Sequence, residues 1–113
     1  MLHEIREYYV RFDAVQEYLD VFERLGLPAM RSCGWRLEGA WLQEIGPRTG
    51  TTFVWMLAWK DLNERADGLT AFRAHADFAS FAAALNPILT HIDTRILRDV
   101  SFSPTYGSEG SEV

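Results

Sequence analysis

Residues 34–60 read GWRLEGAWLQEIGPRTGTTFVWMLAWK. From Thr51 to Lys60 the side chains alternate with the period of a strand. Phe53, Trp55, Leu57 and Trp59 fall on one side, and Val54, Met56 and Ala58 on the other. The run from Gly34 to Ile45 shares that period, with Trp35, Leu37, Gly39, Trp41 and Gln43 on one face. Between them, Gly46-Pro47-Arg48-Thr49-Gly50 is turn chemistry. The segment therefore predicts an antiparallel hairpin. Apolar residues on both of its faces predict a sheet covered on both sides.

Outward from the hairpin, Leu2 to Val10 predicts a first strand, with Glu4, Arg6 and Tyr8 on one face and His3, Ile5, Glu7 and Tyr9 on the other. Asp13 as N-cap and Gln16 as its capping-box partner open a helix whose buried stripe is Val15, Tyr18, Leu19, Phe22 and Leu25. Gly26 and Pro28 predict its end. After the hairpin, Asp61 caps a second helical stretch, with breaks expected at Gly68 and in Ala74-His75-Ala76-Asp77. Phe78, Phe81, Ala82 and Leu85 make a short amphipathic set ended by Asn86-Pro87. A last strand is expected within Thr90 to Phe102, and a flexible acidic tail over residues 105–113.

This order, βαββαβ, is α+β and ferredoxin-like: a four-stranded antiparallel sheet with helices on one face. Helices from one chain cover only one side of it. A second sheet face rich in Trp and Val is more apolar surface than a monomer normally exposes. The expected remedy is a homodimer through the open sheet face, a dimeric α+β barrel built by residues 1–104.

The chain has 113 residues, with 11 Lys+Arg against 16 Asp+Glu for a net charge of −5 and a single lysine, Lys60. That balance argues against nucleic acid as a partner. Hydrophobic residues at 48% exclude disorder for the body of the chain, yet no apolar run approaches the ~20 residues of a membrane helix. No signal-peptide core opens the sequence, and the lone Cys33 suits a reducing, cytoplasmic setting and an inert role.

Four passages carry a family resemblance. Glu4-Ile5-Arg6-Glu7-Tyr8 resembles the E-L-R-x-Y opening of NIPSNAP domains, and Gly39 to Pro47, GAWLQEIGP, resembles the family's second strand with its glutamate before Gly-Pro. Trp55 to Trp59 with Asp61-Leu62 and Glu64-Arg65 resembles its passage from strand three into a helix, and Ile96-Leu97-Arg98 with Phe102-Ser103-Pro104 resembles its close. Trp59 stands where the pattern usually has tyrosine, which removes a phenol that could donate a proton. Phe78 stands near a position often held by Trp. The resemblance spans residues 3 to 104 and implies a dimeric α+β barrel without implying one activity. Proteins of similar architecture include cofactor-free monooxygenases, muconolactone-type isomerases, polyketide cyclases and haem-handling enzymes.

Five residues are candidates for catalysis. Glu4, Arg6 and Tyr8 bring a carboxylate, a guanidinium and a phenol to one strand face, expected to look away from the helices into the barrel if Ile5 faces the helices, where they would orient an oxygen-bearing substrate or move a proton. The commoner role of such a Glu–Arg pair is structural. His91 and Asp93 share a face of the last strand and could form an oriented general base; the alternative is that His91 merely caps the preceding helix. Candidates for ligand binding are Trp41, Trp55 and Trp59, as an apolar wall, with Glu44 and Arg95 at its mouth. These too have a structural alternative, in packing and in ion pairs with Arg6 or Arg95. No metal-ligand spacing or phosphate loop is present, so no cofactor is expected.

Two functions fit this set. One is a cofactor-independent enzyme of proton-transfer type (isomerase, cyclase or monooxygenase) acting on a small apolar or aromatic oxygenated ligand. The other is a non-catalytic homodimeric interaction module. Haem binding would require His91 at a cavity wall.

Overall fold

The computed structural model describes residues 1–106; residues 107–113, which carry most of the expected tail, lie outside the described residues. Four strands, β1 (Leu2–Val10), β2 (Arg36–Leu42), β3 (Thr52–Trp59) and β4 (Leu89–Arg98), form one sheet in the order β2-β3-β1-β4. The three pairings are antiparallel. The helices α1 (Val15–Val21), α2 (Leu27–Ser32), α3 (Leu62–Ala74) and α4 (Phe78–Leu85) complete the βαββαβ order. This is the ferredoxin-like α+β fold expected of the sequence. Among the described residues no helix is long and apolar enough to cross a membrane.

The first helical region departs from its expected form. Asp13 does not cap α1; its carboxylate pairs with Arg11, and Ala14 takes the cap position without a side-chain bond. Nor does the chain stop at Gly26. A π-helical turn (Phe22–Gly26) widens the helix, and α2 continues it past Pro28, which sits in the first turn of α2 where a missing N–H costs little. Gly26 keeps helical φ/ψ, and the Phe81 ring of α4 lies 2.3 Å from where its Cβ would be. The glycine admits a neighbouring ring rather than ending a helix. Gly34, at φ 83°, makes the actual turn into β2.

Gly68 is also no break. Asp61 caps α3 by accepting from the Glu64 N–H at 2.8 Å, and the helix runs unbroken to Ala74, with the chain turning at His75. At mid-helix the Gly68 carbonyl accepts from Trp35 Nε1 at 2.9 Å, and the Trp59 ring lies 2.8 Å from the position of an added Cβ. Gly68 is the seat on which two indoles bring α3 down onto the sheet.

The sheet faces also differ from the simple alternation. Cross-strand partners share a face, so the pairs Glu4–Leu57, Arg6–Trp55 and Tyr8–Phe53 place Glu4, Arg6 and Tyr8 with the buried rings of β3, beneath the helices. The expectation that they look away from the helices is thereby reversed. A register shift between Leu37 and Gly39 breaks the period of β2. Trp35 therefore packs in the helix-side core, while Trp41 lies on the open face with its ring over Gly39. Three of the four tryptophans (Trp35, Trp55 and Trp59) are buried under the helices, so the open face is less rich in Trp than the period predicts.

The core is an aromatic lattice, with Phe22 edge-on to Trp55 at 5.0 Å and Trp35 edge-on to Phe72 at 5.0 Å. Its tightness at Gly68 gives a sign reversal. Gly→Ala inside a helix ordinarily stabilises by about 1 kcal/mol. Gly68→Ala should instead destabilise by about 1–3 kcal/mol, because Trp59 cannot retreat without disturbing its neighbours. Urea unfolding of the two proteins measures the difference.

Candidate functional site

Glu4 lies at the middle of the helix-covered face and is fully buried. Its Oε1 accepts from Trp59 Nε1 at 2.8 Å and from Arg65 Nε at 2.8 Å. Its Oε2 accepts from Arg6 Nε at 2.7 Å and from Arg65 Nη2 at 3.2 Å. One carboxylate thus joins β1, β3 and α3. Burial alone would raise the Glu4 carboxyl, but the Arg65 hydrogen bond, the charge of Arg6 and the Trp59 N–H outweigh it and hold it below the ordinary range.

Arg6 continues the chain of contacts. Its Nη1 donates to the Tyr8 oxygen at 2.9 Å, and its guanidinium lies 5.1 Å from the Trp55 ring centre and 5.7 Å from that of Trp35. Above Arg6 and Tyr8, between sheet and helices, is a cavity of about 270 Å³. Rings of Phe22, Trp35, Trp55 and Phe72 form much of its wall, and Arg65, Arg73 and Asn86 add polar groups from the helical side. The Trp55 indole N–H is buried with no hydrogen-bond partner. Tyr18 packs close by; burial and the neighbouring Tyr8 push its phenol well up, so it stays protonated.

The other sequence candidates are elsewhere. Trp59 is not in the cavity wall; it donates to Glu4 and packs edge-on against Trp35 behind that wall. Trp41 is half exposed on the open face, and Glu44 is exposed in the turn after β2, while Arg6 and Arg95 take Glu4 and Glu7 as partners instead. His91 stacks on Tyr9 at 4.9 Å, and Asp93 approaches Arg95 at 4.0 Å, so no His91–Asp93 pair forms. His91 is not in the cavity wall, as the haem option requires.

Arg65 was not among the sequence candidates. Its partner is 61 residues away, and the signals for it are its place four residues after the Asp61 cap and its inclusion in the Glu64-Arg65 passage that carries the family resemblance. A second cluster was also invisible: His3 Nδ1 meets Glu38 at 2.7 Å and its Nε2 meets Asp99 at 2.8 Å. Burial lowers the His3 imidazole, but Glu38 and Asp99 on its two nitrogens outweigh this and raise it above its ordinary value.

The family model for NIPSNAP matches residues 3–104. The chain belongs to the NIPSNAP family. An uncharacterised NIPSNAP domain protein from Burkholderia xenovorans is 29% identical, over 92% of this chain and 99% of its own, with a TM-score of 0.84. A NIPSNAP family protein from Agrobacterium tumefaciens is 25% identical, over 91% of this chain and 96% of its own, also at 0.84. SnoaB, a cofactor-independent oxygenase from Streptomyces nogalater, shares the fold at a TM-score of 0.63 with 17% identity, over 91% of this chain and 96% of its own. No curated protein matches the sequence.

The two charged clusters should give pH dependences of opposite sign. Glu4 is depressed in the folded state, so its contribution is complete above the ordinary carboxylate value near 4.5 and is lost as pH falls through the folded value. Glu4→Gln should cost ~3–5 kcal/mol at pH 7, by leaving two arginines without their anion, and should flatten the acid limb of the stability curve. His3 is raised, so its contribution is complete below about 6.5 and fades as pH rises through the folded value. The advantage in Tm of the native chain over His3→Gln should therefore be largest near pH 6 and shrink toward alkaline pH.

Proposed function

We propose that this NIPSNAP-family chain is a small-molecule-handling protein, a cofactor-independent enzyme of proton-transfer type, whose ligand sits in the cavity between helices and sheet. The observation that carries this reading is convergence: Arg6, Tyr8 and Trp55, whose buried indole N–H is unpartnered, line one cavity whose wall is otherwise mostly aromatic and aliphatic. Arg6 donates to the Tyr8 oxygen, so the phenolic hydrogen is left to donate into the cavity. An apolar ligand bearing an oxygen would have that oxygen beside Tyr8 and Arg6, where a proton can be given or withdrawn. Glu4 is not in the cavity wall; it is a positioning residue that holds Arg6 and Arg65.

The assembly that suits this reading is a homodimer through the open sheet face. Ile5, Val54, Met56 and Leu97 share that face with the half-exposed Trp41, and a second copy would cover them. A reducing cytoplasm suits the free thiol of Cys33. A non-catalytic dimeric module is the second reading, favoured by the complete hydrogen bonding of Glu4.

Solvent-deuterium exchange into 2-tetralone, a bicyclic enolisable ketone, tests the choice. The native chain should bind it, by quenching of the cavity tryptophans, and should exchange its α-hydrogens, with Tyr8→Phe about 100-fold slower. Ala82→Trp, which fills the cavity from α4, should abolish both while sedimentation still reports a dimer. Binding without exchange would support the module reading.

A further inference from the structure

The charges around the cavity do not balance, and the imbalance bears on what enters it. Three arginines line the wall, Arg6, the partly buried Arg65 and the exposed Arg73, and no carboxylate lines it among the described residues. Glu4 lies behind Arg6 and Arg65 and supplies one negative charge against their two positive ones. Arg73 has no carboxylate partner among the described residues, so positive charge remains in excess even after Glu4 is counted. Arg6 uses its Nε and one Nη1 hydrogen within the protein, and the rest of its planar fork stays unused beside the cavity.

Trp55 adds an independent observation. Its Nε1–H is buried and has no acceptor, and the residue is part of the lining of the same cavity. An indole N–H can only donate, and a buried donor normally has an acceptor. Tyr8 offers a third hydrogen once its oxygen has accepted from Arg6. The unused hydrogens around this cavity are donors under a positive field, set in rings that favour a flat apolar body.

We infer that the cavity takes a small aromatic or cyclic monoanion, its negative oxygen (carboxylate or enolate) on Arg6 and the Trp55 N–H and its rings against Phe22, Trp35 and Phe72. This rests on the cavity reading above and names the ligand class. A volume of about 270 Å³ suits a body of one or two rings.

The test compares isosteres against the full chain at pH 7 by calorimetry. The probes are 2-naphthoate, neutral 2-naphthamide, cationic 2-naphthylmethylamine and the enolate of 5-phenylcyclohexane-1,3-dione. The anions should bind about tenfold or more tightly than the amide, and the amine should not bind. Naphthoate tighter than the enolate assigns a carboxylate ligand, and the reverse order an enolate. Arg6→Gln should erase the preference for the anion. Because that variant also disturbs Glu4, Trp55→Phe provides a second route: it leaves the ion pairs intact and should lower anion affinity more than amide affinity, since the hydrogen bond to an anionic oxygen is the stronger. Amide binding within about threefold of naphthoate would overturn the anion assignment and leave the cavity reading standing. Failure of every probe would overturn both.

Discussion

A carboxylate buried at the centre of a sheet is intolerable without matched charge and hydrogen bonds, and the rest of this molecule is arranged to supply them to Glu4. Trp59 answers from β3, Arg6 from the same strand two residues on, and Arg65 from α3. The network works only if α3 lies close to the sheet, and that closeness is set by Gly68, where Trp35 and Trp59 occupy the space of a side chain. Steric and electrostatic requirements thus meet at one helix. A shift of α3 that relieved the crowding would also pull Arg65 away from its anion.

The same constraint explains why a cavity forms beside so dense a core. Glu4 holds the inner edge of Arg6, so the guanidinium cannot swing to solvent and instead lies against Trp55 and Trp35 with its outer edge toward the space below α4. Filling that space with aliphatic side chains would bury unmatched donors. Walling it with rings and leaving it open spares the molecule that cost at Arg6, though not at Trp55, whose N–H stays unmatched. A cavity retained alongside an unsatisfied donor is more easily understood as a binding feature than as a packing fault, and this ties the proposed ligand to the structural network.

The open face follows different rules. Its ion pairs include His3 with Glu38 and Asp99, and Arg95 with Glu7, set among apolar side chains that include Ile5, Val54, Met56 and Trp41. His3 collects partners from β2 and from the chain just beyond β4, so it joins both edges of the sheet across the middle strands. That face is cross-linked by ionic groups rather than by the aromatic packing of the helix-covered side.

Much of this was legible beforehand because it depends on local pattern. Alternation marked the strands, Asp61 marked a cap, turn residues marked the hairpin, and the four passages from Glu4 to Pro104 carried the family. Even the grouping of Glu4, Arg6 and Tyr8 follows from the pleat alone. Which side of the sheet they occupy does not, because a period of two distinguishes two faces without saying which one the helices cover. The bulge beside Glu38 similarly escaped a strict alternation, and Gly26 and Gly68 resembled stops because close approach by a distant ring leaves no local mark. The sequence by itself determined the order of elements and the chemistry available on each strand. Tertiary structure alone decided that Arg65 would reach Glu4 and that His3 would find Glu38 and Asp99, because a charge pair is chosen by distance in space and those partners lie 35 to 96 residues apart along the chain.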